Sequence, residues 1–499
     1  MNKNFLTIIT PLLLMFCIFQ MAHHSYAGER SSIQGLSLAS TVVANTGGLD
    51  AIGINPARLI RFERPIDSDH LDENYTELPH VTFSLLPAFS LNFGTDLINY
   101  DIYSKYFTGE IVNGKKIGKR LSDADKKDIL SIFPEGVAET HLDFEARLFG
   151  ITLHNNSIGS IGFSATEKFN MNFDLSKDFL RFPLYGLDSL GSEYDFNGTT
   201  INAISLREYA FTYAYSFEKF PIPVADEYIS NFAAGISVKY VQGLAYIDID
   251  KYNVKIGERA VRDNSGYVNY SIYGDADLHF ISSKATMFDS GKSFTPFPHD
   301  AGKGIGVDVG IAFEALRGVR FGMSLVDIGS VEWTKNVVES KIKSHLTGVS
   351  NVSSQADRDS VEAFVDRIQK DLENFKGDTI SSVTTSLPTA LYLGAAWMQG
   401  IPYVGNCLLA VQYKQGFNDV PGNSTRPRFS LAAEYRPWIF LPLRMGTTFG
   451  GKDRFSIGAG LGFDFYYWNF DIGSENISYM FIPNGFHQVS FGMAMKIRI

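Results

Sequence analysis

Nine charged residues fall on the small-residue phase of otherwise alternating apolar segments: Asp308, Glu314, Arg428, Glu434, Arg436, Arg444, Asp464, Lys496 and Arg498. Charges of both signs on one inward face can pair with one another, which a buried ion needs. They could equally line a polar conduction path or anchor a ligand. No constellation for covalent or metal chemistry accompanies them. The chain has no Gly-x-Ser-x-Gly elbow and no His-Glu-x-x-His spacing. The glycine-rich run Gly302–Gly310 lacks the Gly-Lys-Ser/Thr ending of a phosphate loop and keeps the phase of a strand. The expectation is no enzyme, no cofactor and no metal site.

The N-terminus sets the compartment in which those charges work. Lys3 precedes an apolar run from Phe5 to Ala22, and Ser25-Tyr26-Ala27 places small residues before Gly28. That is the pattern of a secretory signal peptide spanning residues 1–27, which also places His23 and His24 in the removed leader. Beyond it no apolar stretch reaches the ~18–20 residues a membrane-spanning helix needs. Only Cys407 remains, so no internal disulfide can form. A net charge of −10 argues against a nucleic-acid partner. Aromatic residues make up 14% of the chain, and together with abundant glycine they suit a barrel with an apolar outer face.

Alternation with period two carries the fold reading. Val489, Phe491, Met493, Met495, Ile497 and Ile499 share one face opposite Ser490, Gly492, Ala494, Lys496 and Arg498. The same pattern runs through Tyr209–Phe217, Gly304–Glu314 and Arg454–Tyr466. The polar phase is rich in Gly, Ala and Ser rather than Lys, Glu and Thr. That suits a crowded lumen better than a solvated sheet face. Strands are expected near 80–94, 140–154, 158–175, 203–218, 230–250, 303–315, 319–331, 384–398, 404–416, 427–437, 440–450, 454–466, 468–480 and 486–499. Short turns near Asn155–Ser157, Leu316–Gly318, Pro437–Ile439 and Tyr467 alternate with long connections near 95–139, 176–202, 251–302 and 332–383. The fold class is therefore all-β, a transmembrane β-barrel of about fourteen antiparallel strands (80–499) with helix-containing external loops. An even strand count puts both termini on one side, the periplasm of a bacterial outer membrane.

Two loop helices are expected. Ser122-Asp123-Ala124-Asp125 forms a capping box ahead of Ile129 and Leu130. Val361, Phe364, Val365, Ile368, Leu372 and Phe375 make a stripe at helical spacing closed by Gly377. Tyr267–Ser282 reads as a hairpin-like extension of the third long loop.

The segment ahead of the first strand, residues 28–79, has no strand alternation. Ala39–Leu59 is rich in small residues and ends in Asn55-Pro56-Ala57-Arg58, where Pro56 fixes φ and Asn55 can cap or turn the backbone. In this it resembles the N-terminal hatch of the long-chain fatty acid transporter (FadL-like) superfamily of outer-membrane barrels. Gly302–Gly310 and Leu441–Gly446 are similar to segments of its Bacteroidetes-type relatives, some of which carry cargo in protein secretion. The resemblance implies fourteen strands, an N-terminal plug, and passive uptake of a hydrophobic small molecule, with Asn55, Pro56, Ala57 and Arg58 on the ligand path. It implies as partners outer-membrane lipid, the barrel-assembly machinery, and either that ligand or a secreted protein. Two alternatives stand beside uptake: a secretion-accessory barrel gripping cargo with its external loops, and a structural or adhesive barrel.

Overall fold

The computed structural model describes residues 32–60 and 80–499, less 98–99, 113–114, 118, 132, 134–135, 156, 187–191, 218–228, 263–267, 286–298, 316–317, 351–376, 402–404, 452–454, 466 and 479–487. The signal peptide and the helix expected at 361–375 lie outside the described residues.

Fourteen strands make the wall. They are β1 (Val81–Thr95), β2 (Val137–Asn155), β3 (Gly159–Ser176), β4 (Thr200–Phe217), β5 (Ile229–Arg262), β6 (Gly302–Ala315) and β7 (Val319–Trp333). Then come β8 (Ala390–Ile401), β9 (Gly405–Gly416), β10 (Arg428–Arg436), β11 (Leu443–Gly450), β12 (Phe455–Asp464), β13 (Trp468–Ser474) and β14 (Gln488–Arg498). Each pairs antiparallel with its sequence neighbours, and β1 pairs with β14 from Thr82↔Arg498 to Gly94↔Gln488, so the sheet closes on itself. Closure removes every edge, which a sheet in hydrocarbon requires.

Alternation becomes inside and outside as expected. Leu409, Val411, Leu431, Met445 and Phe491 project outward, each more than 40% exposed, between inward Ala410, Gln412, Ala432, Arg444 and Gly492. Aromatic rings gather at both rims. On the short-turn side Trp438, Phe440, Phe465 and Trp468 stack in series, with centroids 6.0, 5.5 and 4.7 Å apart. On the other side Tyr413 meets Phe429 at 4.8 Å and Phe449 meets Phe455 at 5.6 Å. An apolar belt between two aromatic girdles is the surface of a membrane-spanning barrel. Among the described residues no helix is long and apolar enough to cross a membrane.

The long connections all leave from one end. β5 runs on past the wall to Arg262 and pairs there with Val268–Lys284, which pairs in turn with Val338–Ser350. The third and fourth long connections are thus largely a projecting antiparallel sheet. The capping box forms as expected: Ser122 Oγ accepts from the Asp125 amide at 3.2 Å, and the Asp125 carboxylate accepts from the Ser122 amide at 2.9 Å, opening the helix Asp123–Ser131.

Residues 32–60 lie inside the barrel. Fourteen of their apolar side chains and Ser32, Asp50, Asn55 and Arg58 are buried inside it. The small inner face is what admits them. A Cβ on Gly446 would stand 2.5 Å from the Leu38 carbonyl carbon, one on Gly458 2.8 Å from the Leu36 oxygen, and one on Gly394 2.5 Å from Val43 Cγ1. Glycine at these positions lets plug backbone touch wall backbone. Gly458→Val should therefore cost about 1–3 kcal/mol through overpacking. It should appear as a lower temperature for conversion of the compact to the unfolded band in a heat-modifiability gel, whereas Met445→Leu, on the outer face, should not move it.

Candidate functional site

The plug is built from short capped turns. Ser32 Oγ accepts from the Gly35 amide at 3.1 Å and starts the helix Ile33–Ser37. Asn55 starts a single 3₁₀ turn, Pro56–Leu59: its Oδ1 accepts from the Ala57 amide, with Pro56 in the first position, where its missing N–H costs nothing. Asn55 Nδ2 donates to the Val43 carbonyl of the plug and the Ile311 carbonyl of β6, both at 3.1 Å. One fully buried amide thus joins two plug turns to the wall. Arg58 Nε donates to the Thr46 carbonyl at 2.9 Å within the plug, and Pro56 and Ala57 are buried beside it. Gln412 works from the opposite wall, its Oε1 accepting from the Val42 and Val43 amides at 2.8 Å and its Nε2 donating to the Ser40 carbonyl at 2.6 Å.

Most of the nine sequence-predicted charges form one chain of ion pairs. Asp50 of the plug meets Arg147 of β2 at 3.3 Å and also Lys496 of β14. Lys496 reaches Asp471 at 3.7 Å, Asp471 holds Arg444 at 2.5 Å, and Arg444 holds Glu434 at 2.6 Å. Glu434 binds Arg436 at 2.7 Å, Arg436 binds Asp464 at 3.0 Å, and Asp464 closes on Arg498 at 2.5 Å. Arg428 pairs separately with Glu475 at 3.4 Å, and Glu314 accepts from Asn231 at 2.9 Å.

Asp308 belongs to a second cluster, on β3 to β7. Lys239 is fully buried between Asp308 at 2.9 Å and Asp327 at 2.5 Å, while Lys168 holds Glu208 at 2.9 Å. Asp327 enters through a bulge: β6 and β7 slip register between Val307 and Val309, and Asp327 takes φ +54°. Its amide donates to Asp308 Oδ1 at 2.8 Å. This αL residue turns its carboxylate into the lumen where regular alternation would aim it at lipid. Sequence reading missed Asp50, Lys168, Glu208, Lys239 and Asp327. Two signals were present: Asp50 is the sole charge between Glu29-Arg30 and Arg58, and Leu325-Val326-Asp327-Ile328 breaks the period.

The wall is irregular where the plug is anchored. Pairing of β1 with β2 stops at Phe83↔Ile151 and resumes at Ala88↔Arg147, and Leu148 is an extra residue in the pairing of β2 with β3. Pro87 has no N–H to give a ladder. Outside this break Leu85, Leu86, Leu148 and Phe149 stand 40–47% exposed. Inside it, a Cβ on Gly150 would lie 2.6 Å from Leu49 Cδ1. Leu49 also opens an apolar seam in which Ile52, Leu59 and Ile60 of the plug pack on Ala210, Ala214, Ala233 and Ala312 of the wall.

These features define a class, the transmembrane β-barrel whose lumen is closed by its own N-terminal segment. A family model described as a family of unknown function (DUF5723) matches residues 75–475, and the chain belongs to that family. It is similar over nearly its whole length to several solved barrels. The Ralstonia pickettii toluene transporter TbuX is 11% identical, with 94% of this chain and 99% of that one covered at a TM-score of 0.41. The Pseudomonas putida toluene transporter TodX is 9% identical, with 95% and 98% covered at 0.39. A Pseudomonas aeruginosa FadL homologue is 8% identical, with 96% and 99% covered at 0.39. No curated protein matches the sequence.

Two predictions follow from this geometry. Asp50→Ala leaves Arg147 and Lys496 facing each other without their shared anion, which should cost roughly 3–5 kcal/mol; amide exchange across Gly48–Leu59 should rise well above wild type. The second concerns the projecting sheet. His279 lies between Glu339, 2.9 Å from Nε2, and Asp250, 2.5 Å from Nδ1, and both raise its pKa, Glu339 most. Lys341 and His279 hold Glu339 below the usual carboxylate range. A raised imidazole stabilises fully below its unfolded value of about 6.5 and ceases to do so as pH climbs through the folded one. Exchange in Val268–Lys284, corrected for intrinsic rate, should thus accelerate between pH 6 and pH 8, and His279→Gln should remove that step.

Proposed function

We propose that this protein is a passive outer-membrane transporter that takes up a hydrophobic small molecule past its own plug, with both termini in the periplasm. The observation that carries the reading is the coincidence of three features at one place. The ladder between β1 and β2 is interrupted at 84–87, where β1 stays paired with β14 only in shifted register, and Leu148 is extra between β2 and β3. The apolar seam of the plug begins directly behind it at Leu49. The plug's charged anchor, Asp50, is held there by the two strands that flank β1. An apolar solute leaving along this seam would exchange plug side chains for lipid and never cross the charged lumen, so no desolvation penalty opposes it. Asn55, Pro56, Ala57 and Arg58 serve in this reading as the fixed end of the plug, tied to β6, and the apolar side chains of Leu49 and Ile52 yield while Asp50 stays paired.

The test is a reversible tether. A Cβ on Gly473 would lie 3.2 Å from that of Ser37, close to the roughly 3.5–4.5 Å of a disulfide. Ser37→Cys with Gly473→Cys should stop accumulation of a monoaromatic hydrocarbon by cells or proteoliposomes when oxidised and restore it on reduction. Uptake indifferent to the tether removes displacement of the Ile33–Ser37 helix and leaves only local yielding at Leu49–Ile52. Absence of uptake by the untethered protein removes the transport reading itself.

A second reading is favoured by the projecting sheet, whose face of Asp275, Asp277, His279, Lys341 and Lys343 is a surface suited to a secreted protein. Co-purification of one defined secreted protein, lost when residues 268–284 are deleted, would favour that reading over uptake.

A further inference from the structure

The connection between β9 and β10, residues 417–427, leaves the wall at the long-connection end but turns inward over the lumen. Pro421, Gly422, Asn423 and Ser424 at its tip are buried. A Cβ on Gly422 would stand 2.9 Å from Asn170 Cγ of β3, and Arg426 Nη1 lies 3.7 Å from Glu139 Oε1 of β2. β3 is six strands from β9, and β2 is six from β10 through the β1–β14 closure, nearly half-way round a wall of fourteen. The connection therefore crosses the mouth from one wall to the opposite one. Beneath it, Gly422 and Pro388 face Ile52, Gly53 and Ile54 of the plug across a chamber of about 50 Å³, room for only a few waters. The lumen thus has two seals, the plug and this strap.

The two sides of the crossing are held differently. On the near side the bonds are directional: the Phe417 amide and Asn423 Nδ2 both donate to the Thr389 carbonyl at 2.9 Å, and Asn418 Nδ2 donates to the Leu387 carbonyl at 2.7 Å. The Asp419 carboxylate accepts from the Thr425 amide and hydroxyl, both at 2.8 Å, which makes the strap one unit. On the far side Gly422 packs on Asn170, whose Nδ2 donates to Asp143 at 2.8 Å, and the Arg426–Glu139 pair is longer than a hydrogen bond. We infer that residues 417–427 are a hinged strap that opens the long-connection mouth onto the chamber, with the Arg426–Glu139 pair as its latch. Parting that pair leaves the bonds at the base intact, so the tip swings off Asn170 while the Asp419–Thr425 staple keeps its shape. The Arg426 and Glu139 side chains are 38% and 16% exposed, so water solvates the separated charges and the latch is weak enough to open. The inference deepens the uptake reading by giving a solute its entrance, while its test needs no transport and fails separately from that reading.

Ser164 lines the chamber, and Ser164→Cys, with Cys17 and Cys407 replaced by serine, reports access to it. A methanethiosulfonate reagent too large for the closed chamber should modify this thiol slowly in the detergent-solubilised full chain. Replacing residues 419–425 by Gly-Gly should raise the rate at least tenfold while the heat-modifiable gel shift persists. Arg426→Gln or Glu139→Gln should each raise it at least threefold, and the exchanged pair, Arg426→Glu with Glu139→Arg, should return the parent rate. Salt serves wherever a variant loses the shift. Going from about 0.1 M to about 1 M shortens the screening length from roughly 10 Å to roughly 3 Å. The parent rate should then rise at least twofold relative to Lys343→Cys, whose position is 79% exposed. A shortened strap that leaves the rate unchanged, folded charge variants no faster than the parent, or a salt-indifferent parent rate would each overturn the assignment. So would an acceleration that the oxidised Ser37→Cys, Gly473→Cys tether suppresses, since access would then run past the plug.

Discussion

The Asp50 carboxylate is sealed inside the barrel, where Arg147 and Lys496 reach it from the wall and give the buried charge its counter-ions. Those two side chains come from β2 and β14, the strands on either side of β1, so a single plug residue spans the seam at which the sheet closes. Everything near that seam follows from it. The lysine is shared with Asp471, which links plug position to a run of wall charges ending at Arg498, beside the C-terminus. Desolvation makes each member intolerant of losing its neighbour, so plug and rim form one electrostatic unit.

Around that anchor the plug has two chemically different flanks. Toward β4 and β5 it is apolar, packing leucine and isoleucine onto wall alanines, and Asn55 alone bonds it to β6 among the hydrogen bonds described. Toward β7 and β9 it is held by Ser324 and Gln412 through its own backbone. A segment fixed by hydrogen bonds on one side and by dispersion on the other has a built-in direction of easier displacement. Packing contacts can be re-made with another apolar body, whereas a buried amide has no substitute for Gln412.

Much of this was legible in the sequence. Period-two alternation located all fourteen strands, because lipid outside and a crowded lumen inside constrain each phase separately. The small residues facing inward, such as Gly446 and Gly458, were readable as a sign that something fills the lumen, and they now stand against plug backbone. The inward charges from Arg428 to Arg498 were readable for the same reason. Asp50, Lys239 and Asp327 were not. Pairing partners separated by 88 to 446 residues are set by closure of the sheet, which no local window contains. The bulges at 84–87 and 326–327 were also missed, since a broken period looks like noise until the partner strand shows which residue is extra.

The αL aspartate at the second bulge shows what such irregularity achieves. Held in the regular phase, Asp327 would face lipid, where a charge costs several kcal/mol. The bulge turns it inward at the expense of a strained φ, and Asp308 repays the geometry by taking the Asp327 amide while both carboxylates share Lys239. The same bulge gives the chamber above the plug one of its carboxylates, so wall irregularity and lumen chemistry have one origin. Among the wall's several register breaks, these two divide the work. One sits behind Leu49, where the lumen is apolar, and the other puts charge where the lumen is polar, so the barrel keeps two solvent-like environments apart within a single plugged interior.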